Sequence, residues 1–82
     1  MISITVSFFS YFKELTSCSQ FKTMVPEGST LRDLFEHIAR RFPKLATMEK
    51  STLMAVGLDY QERNYILKNG EEVSLFPPVQ GG

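Results

Sequence analysis

Apolar and polar residues alternate from the start of the chain: Ile2, Ile4, Val6 and Phe8 are separated by Ser3, Thr5 and Ser7. A strict period of two puts the four apolar side chains on one face of a strand and the three hydroxyls on the other. Phe9 breaks the alternation by placing a large aromatic on the hydroxyl face. Tyr11 to Leu15 reads as a loop or a single helical turn. Phe21 to Val25 reads as a second strand, closed by the turn signal Pro26-Glu27-Gly28.

The period then changes. Leu31, Leu34, Phe35, Ile38, Ala39 and Phe42 recur at helical spacing and form one continuous stripe. Ser29 or Thr30 supplies the N-cap oxygen, Asp33 lies near the positive helix end, and Pro43 marks the stop. Arg32, Asp33, Glu36, His37, Arg40 and Arg41 make the polar face, with Glu36 and Arg40 spaced for an i,i+4 pair. A loose connection leads to Leu53-Met54-Ala55-Val56, which reads as a short buried strand. Asp59 to Asn64 is polar and looped, and Tyr65-Ile66-Leu67 reads as a brief edge strand or turn. Asn69-Gly70 signals a turn, and Val73-Ser74-Leu75-Phe76 resumes the alternation until Pro77-Pro78 ends it.

The order β-β-α-β-β, with a minor extra strand, implies an α+β domain in which one main helix packs on one face of a mixed sheet. Pairing of the first and last strands would make it a ubiquitin-like β-grasp. The expected division is a domain over residues 1–76 and an extended tail over residues 77–82. Phe9 and Phe76 each fall out of phase with the inward residues of their strands. If those strands pair in parallel, both aromatics lie on the solvent face at the root of the tail. With Pro77, Pro78, Val79 and Gln80, they are the candidate partner-binding residues.

Composition narrows the chemistry. Nine basic residues balance nine acidic ones among 82, so nothing favours a nucleic-acid backbone or an anionic membrane. No apolar run reaches membrane-spanning length, and the start of the chain lacks the pattern of a signal peptide. The single Cys18 allows no intrachain disulfide and suits a reducing cytoplasm. A metal centre is not expected, because a cluster of Cys, His and carboxylate ligands at suitable spacing is missing. His37 reads as a solvated residue of the polar helix face. Cys18 reads as a loop thiol, since no neighbouring base or helix N-terminus lowers its pKa. A stand-alone active site cannot be assembled from these parts.

The end of the sequence offers a different chemistry. Pro77 to Gly82 carries no charge, and Pro77-Pro78 stiffens the exit from the last strand. Gly81 and Gly82 have no side chains, so a narrow channel could admit them and bring a terminal carbonyl beside a reacting partner. The expectation is that Gly82, as the C-terminal residue, is itself the reagent. Its carboxylate would be activated by ATP as an acyl-adenylate and converted to a thiocarboxylate. The sulfur of that group would be a good nucleophile at neutral pH.

The run Val73-Ser74-Leu75-Phe76-Pro77-Pro78-Val79-Gln80-Gly81-Gly82, preceded by Leu67-Lys68-Asn69-Gly70-Glu71-Glu72, resembles the small-subunit family of molybdopterin synthase (MoaD). Phe8-Phe9 followed by Glu14-Leu15, the entry Gly28-Ser29-Thr30-Leu31 and the strand Leu53 to Val56 extend the resemblance over nearly the whole chain. It implies the β-grasp fold and no permanently bound cofactor. It also implies a cycle: a ubiquitin-activating-enzyme-like adenylyltransferase activates Gly82, and a sulfur donor protein supplies the thiocarboxylate. The tail then donates sulfur inside the large synthase subunit, in a heterotetramer, to make the dithiolene of molybdopterin. Gln80 stands where many members of that family have Ser or Thr, and Gly57 where they have Asn. Two other readings share the terminus: a thiamine-pathway sulfur carrier, which is usually shorter and lacks the Pro-Pro, and a ubiquitin-like modifier joined to lysines through Gly82.

Overall fold

The structure, a computed structural model, describes residues 1–77. β1 (Ile2–Phe8), β2 (Gln20–Val25), β3 (Leu53–Val56), β4 (Asp59–Tyr60) and β5 (Glu72–Phe76) form one sheet in the order β2-β1-β5-β3-β4. β1 and β5 lie side by side in parallel, with Val6 opposite Val73 and Phe8 opposite Leu75. The remaining neighbours are antiparallel. The expected pairing of first and last strands is therefore present, and β5 is held on both sides.

Alternation along β1 fixes what each face carries. Ile2, Ile4, Val6 and Phe8 are buried, as are Val73 and Leu75 of β5. Across this inner face lies α2 (Leu31–Arg41), which buries Leu31, Leu34, Phe35 and Ile38. Ala39 and Phe42, the remaining residues of the stripe, pack partly buried against that core. The Phe42 ring stands edge-on to Phe8 and Phe21 at 5.6 and 5.3 Å, sealing one end. Burying this many large side chains, each worth about 1.5–3 kcal/mol, is the main source of stability for so short a chain.

The start of α2 accounts for an otherwise irregular stretch. Thr30 is the N-cap: its Oγ1 accepts from the Asp33 N–H, and the Asp33 carboxylate accepts from the Thr30 N–H. The free N–H groups of Leu31 and Arg32 donate to the carbonyls of Tyr65 and Arg63. Helix starts leave such donors without intrahelical partners, and here a loop supplies them. Tyr65-Ile66-Leu67 is accordingly not a strand; only an isolated Thr30–Ile66 bridge forms.

Of the two forms expected for Tyr11 to Leu15 the helical one is present, as a short helix, α1 (Tyr11–Thr16), with Phe12 buried. Other expectations are corrected. The loose connection is a 3-10 helix, Pro43–Ser51, pinned by the fully buried Leu45. Asp59–Tyr60 is a strand rather than a loop, formed when the chain reverses through Gly57-Leu58. Leu53 is exposed rather than buried, because its register opposite Phe76 turns it to the outer face. Glu36 pairs with Arg32 at 3.8 Å, not with Arg40. Both arginines lie one turn away on an exposed face, where such a choice is worth only tenths of a kcal/mol.

Candidate docking face and tail root

The site is built on the outer face of the sheet, away from α2. Register places Ser7 beside Ser74, and Ser74 beside Ala55, so the middle of this face is small and flat. At the end where β5 leaves the sheet, small residues give way to large ones. Phe9 follows β1 and Phe76 ends β5, one step beyond the Phe8–Leu75 pair. The Phe9 N–H donates to the Leu75 carbonyl at 3.3 Å, continuing the parallel ladder and fixing the Phe9 backbone against β5. The two rings stack with centroids 4.7 Å apart and planes 15° from parallel.

Two further side chains complete the cluster. Leu53 lies directly across from Phe76 on β3. Tyr60 sits on β4 opposite Ala55, and its ring meets Phe76 edge-on at 6.1 Å and 65°. Phe76 is half-buried at the centre of this group, while Phe9, Leu53 and Tyr60 are 39%, 41% and 67% exposed. Three large, largely apolar side chains around one half-shielded aromatic form an exposed cluster, a candidate docking feature rather than a core. Sequence phase identified Phe9 and Phe76. It missed Leu53 and Tyr60, whose positions depend on the β3–β5 and β3–β4 registers.

Pro77 is half-buried and continues directly from Phe76. The other sequence-predicted tail residues, Pro78, Val79, Gln80, Gly81 and Gly82, lie outside the described residues.

The remaining candidate groups lie away from this cluster. His37 is exposed, and its Nε2 lies 2.6 Å from the Thr23 hydroxyl of β2, tying helix to sheet. Cys18 is half-buried, with its Sγ 3.6 Å from the Thr16 hydroxyl. Among the described residues no group of three or more His, Cys, Asp or Glu side chains could hold a metal ion. No helix among them is long and apolar enough to cross a membrane. The Tyr65 hydroxyl donates to the Glu71 carboxylate at 2.6 Å. That bond, helped by partial desolvation and the Glu71 charge, raises the Tyr65 pKa above its ordinary value. Gly57 has φ +61° at the first position of the β3–β4 turn. Glycine reaches this left-handed region without Cβ strain, which lets the chain reverse between β3 and β4.

A five-stranded mixed sheet in this order, crossed by one helix, is a ubiquitin-like β-grasp. The chain belongs to the ThiS family, which it matches over residues 6–82. It is 31% identical over 81 residues to the molybdopterin synthase sulfur carrier subunit of Haemophilus influenzae, covering 96% of this chain and 99% of that one. It is 26% identical over 81 residues to the Arabidopsis thaliana protein of the same description, covering 99% of this chain and 84% of that one. A solved Pyrococcus furiosus structure, provisionally described as molybdopterin converting factor, subunit 1, superposes with a TM-score of 0.88. The two are 29% identical, with 96% of this chain and 100% of that one covered.

Proposed function

We propose that this protein is the sulfur carrier subunit of a molybdopterin synthase and that its reagent is the carboxylate of Gly82. The observation that carries this reading is the end-to-end similarity to the Haemophilus influenzae sulfur carrier subunit, over 96% of this chain and 99% of that one. The geometry agrees with it. Parallel pairing of β1 and β5 brings the root of the tail beside the exposed Phe9–Phe76 stack, so one partner surface can grip the cluster and receive the tail.

The chemistry runs in three steps. The Gly82 carboxylate attacks the α-phosphorus of ATP in an adenylyltransferase, giving an acyl-adenylate and pyrophosphate. Sulfur at the sulfide level, delivered by a sulfur donor protein, attacks the acyl carbon and displaces AMP, leaving a thiocarboxylate. The tail enters the large subunit, where the thiocarboxylate sulfur attacks a carbon of the pterin precursor and displaces an oxygen leaving group, forming a thioester between the two. Water then hydrolyses the acyl–sulfur bond, leaving the sulfur on the pterin and Gly82 as a carboxylate. Six residues span up to about 20 Å when extended, enough to reach a buried active site from a docked domain. Phe9 and Phe76, with Pro77, Pro78, Val79 and Gln80, contact the partner, and Gly81 with Gly82 passes the narrowest part of its channel. The catalytic side chains belong to the large subunit.

The test is an intact-mass measurement after incubation with an adenylyltransferase, ATP and a sulfur source. Exchange of one oxygen for sulfur at Gly82 is expected, followed by loss of that sulfur when a large subunit and the pterin precursor are added. Lysine-linked adducts without sulfur exchange would instead assign the protein as a modifier.

A further inference from the structure

The aromatic cluster occupies one end of the outer face; the free edge of the sheet lies elsewhere. β2 is an outermost strand of six residues, whereas β4 at the other edge has two. Which β2 backbone groups are open depends on the register. Phe8 donates its N–H to the Ser19 carbonyl at 2.9 Å, and the pairs Val6–Phe21, Ile4–Thr23 and Ile2–Val25 share that phase. Hydrogen-bonded and non-hydrogen-bonded pairs alternate along an antiparallel ladder. Phe21, Thr23 and Val25 therefore direct their N–H and C=O groups to β1. Gln20, Lys22 and Met24 direct theirs outward, a row of open donors and acceptors repeating every ~6.8 Å. That repeat matches the backbone of another extended chain.

The surroundings of this edge select its occupant by charge. The Lys22 side chain is exposed on the outer face. On the helix side, the half-buried Phe21 and Phe42 rings meet edge-on, and the Arg41 guanidinium lies 5.7 Å from the Phe42 centroid. Arg40 lines the adjoining shallow cleft of about 410 Å³ together with Val25 and His37. Among the described residues Lys22, Arg40 and Arg41 have no ion-pair partner. The cleft also holds three acids, so its charge is mixed: Asp33 closes the helix cap, Glu36 pairs with Arg32, and Glu27 lines it just past the end of β2. The unpaired charge on the outer face of the edge itself is that of Lys22. A second copy of the chain is a poor occupant. Two-fold antiparallel pairing centred on the open groups of β2 sets Lys22 against Lys22, the device by which edge strands resist self-association.

We propose that the open edge of β2 is a docking site for an extended acidic segment of a partner protein. The segment adds as a sixth strand, with carboxylates facing Lys22 and apolar side chains over Phe21 and Phe42. The site is separate from the tail and stands whether or not Gly82 carries sulfur.

The experiment titrates the full chain, labelled with nitrogen-15, with the capped peptide acetyl-Glu-Val-Glu-Val-Glu-amide and with its lysine counterpart. The acidic peptide is expected to shift the Gln20, Lys22 and Met24 amides saturably and slow their hydrogen exchange. Lys22→Glu should weaken binding at least about tenfold. Met24→Pro, which removes an outward N–H that no β1 carbonyl uses, should abolish binding while keeping the fold. Neither variant should change thiocarboxylation of Gly82. The proposal is overturned by shifts at Phe9 and Phe76 instead, by equal binding of the lysine peptide, or by binding that survives Met24→Pro. Absence of saturable shifts at about 1 mM peptide, or self-association through the same amides without peptide, also overturns it.

Discussion

The stacked Phe9–Phe76 pair makes the docking hypothesis quantitative. Phe76 is half-buried, Phe9 is 39% exposed, and their rings lie 4.7 Å apart. Removing either ring costs the isolated domain only part of a full phenyl burial, about 1 kcal/mol, which lowers Tm by about 4–8 °C. At an interface the same truncation costs more, because a central aromatic there is desolvated on all sides. About 2 kcal/mol, or roughly 30-fold in affinity, is expected for each single change.

The two losses should not add. The rings share one contact surface, so the first truncation already disturbs part of what the second would remove. The double variant Phe9→Ala/Phe76→Ala should therefore lose about 3 kcal/mol rather than 4, about 150-fold in affinity, with a coupling of about 1 kcal/mol. The assay is calorimetric titration of wild type, both single variants and the double variant into the large synthase subunit, with thermal melts confirming that each remains folded. A double variant that binds within about threefold of wild type would remove Phe9 and Phe76 from the interface. Additive losses would show that the rings act as separate contacts rather than as one stacked unit.

Three further outcomes are expected from the fold. Thr30→Ala breaks the reciprocal cap with Asp33 and should cost about 1 kcal/mol, read as a Tm lowered by about 4–8 °C; an unchanged melt would show that the Tyr65 and Arg63 carbonyls alone hold the helix start. Ser10 has φ 53° and ψ −139° between β1 and α1, a conformation that suits glycine. Ser10→Gly should therefore stabilise the domain by about 1 kcal/mol after the added chain entropy is subtracted, and a destabilised variant would contradict this. Tyr65 has a raised pKa in the folded state because its hydroxyl donates to Glu71. The folded protein therefore holds that proton more tightly than the unfolded chain, and the stabilisation is complete below the ordinary tyrosine pKa of about 10. It is lost as pH rises from there through the folded-state value. Chemical denaturation at stepped alkaline pH should show the decline in wild type and a smaller one in Tyr65→Phe.

What was legible in the sequence was whatever a single element determines by itself. Four alternating apolar residues set the inner face of β1, and the stripe from Leu31 to Phe42 set the face of α2. The out-of-phase positions of Phe9 and Phe76 came from the same alternation. What was not legible depended on pairing. Leu53-Met54-Ala55-Val56 is apolar throughout and has no phase of its own; β5 supplies one by setting Leu53 opposite Phe76. Tyr60 lies in a polar run and reaches the cluster only because Gly57 lets the chain reverse. The segment Pro43–Ser51 lacks a usable period, and its helical form depends on burying Leu45. Tyr65 and Arg63 support the start of α2 through backbone carbonyls, which no side-chain pattern records.

The same topology bears on how a tail can be handled by a partner. β5 is at once the strand that precedes the tail and a central strand, paired with β1 on one side and β3 on the other. Its inward residues Val73 and Leu75 are fully or almost fully buried. A pull applied beyond Phe76 therefore acts against two ladders and the core together, not against a fraying edge. Had the tail followed β2 or β4, threading it into a tight channel would compete with local unfolding of a strand held on one side only. On the proposed function, placing the tail after the best-supported strand would let a partner grip and thread it while the domain stays folded. It would also keep Phe9, Leu53 and Tyr60 in register around Phe76 during that engagement. If the proposed function holds, the central position of β5 serves that function as well as stability.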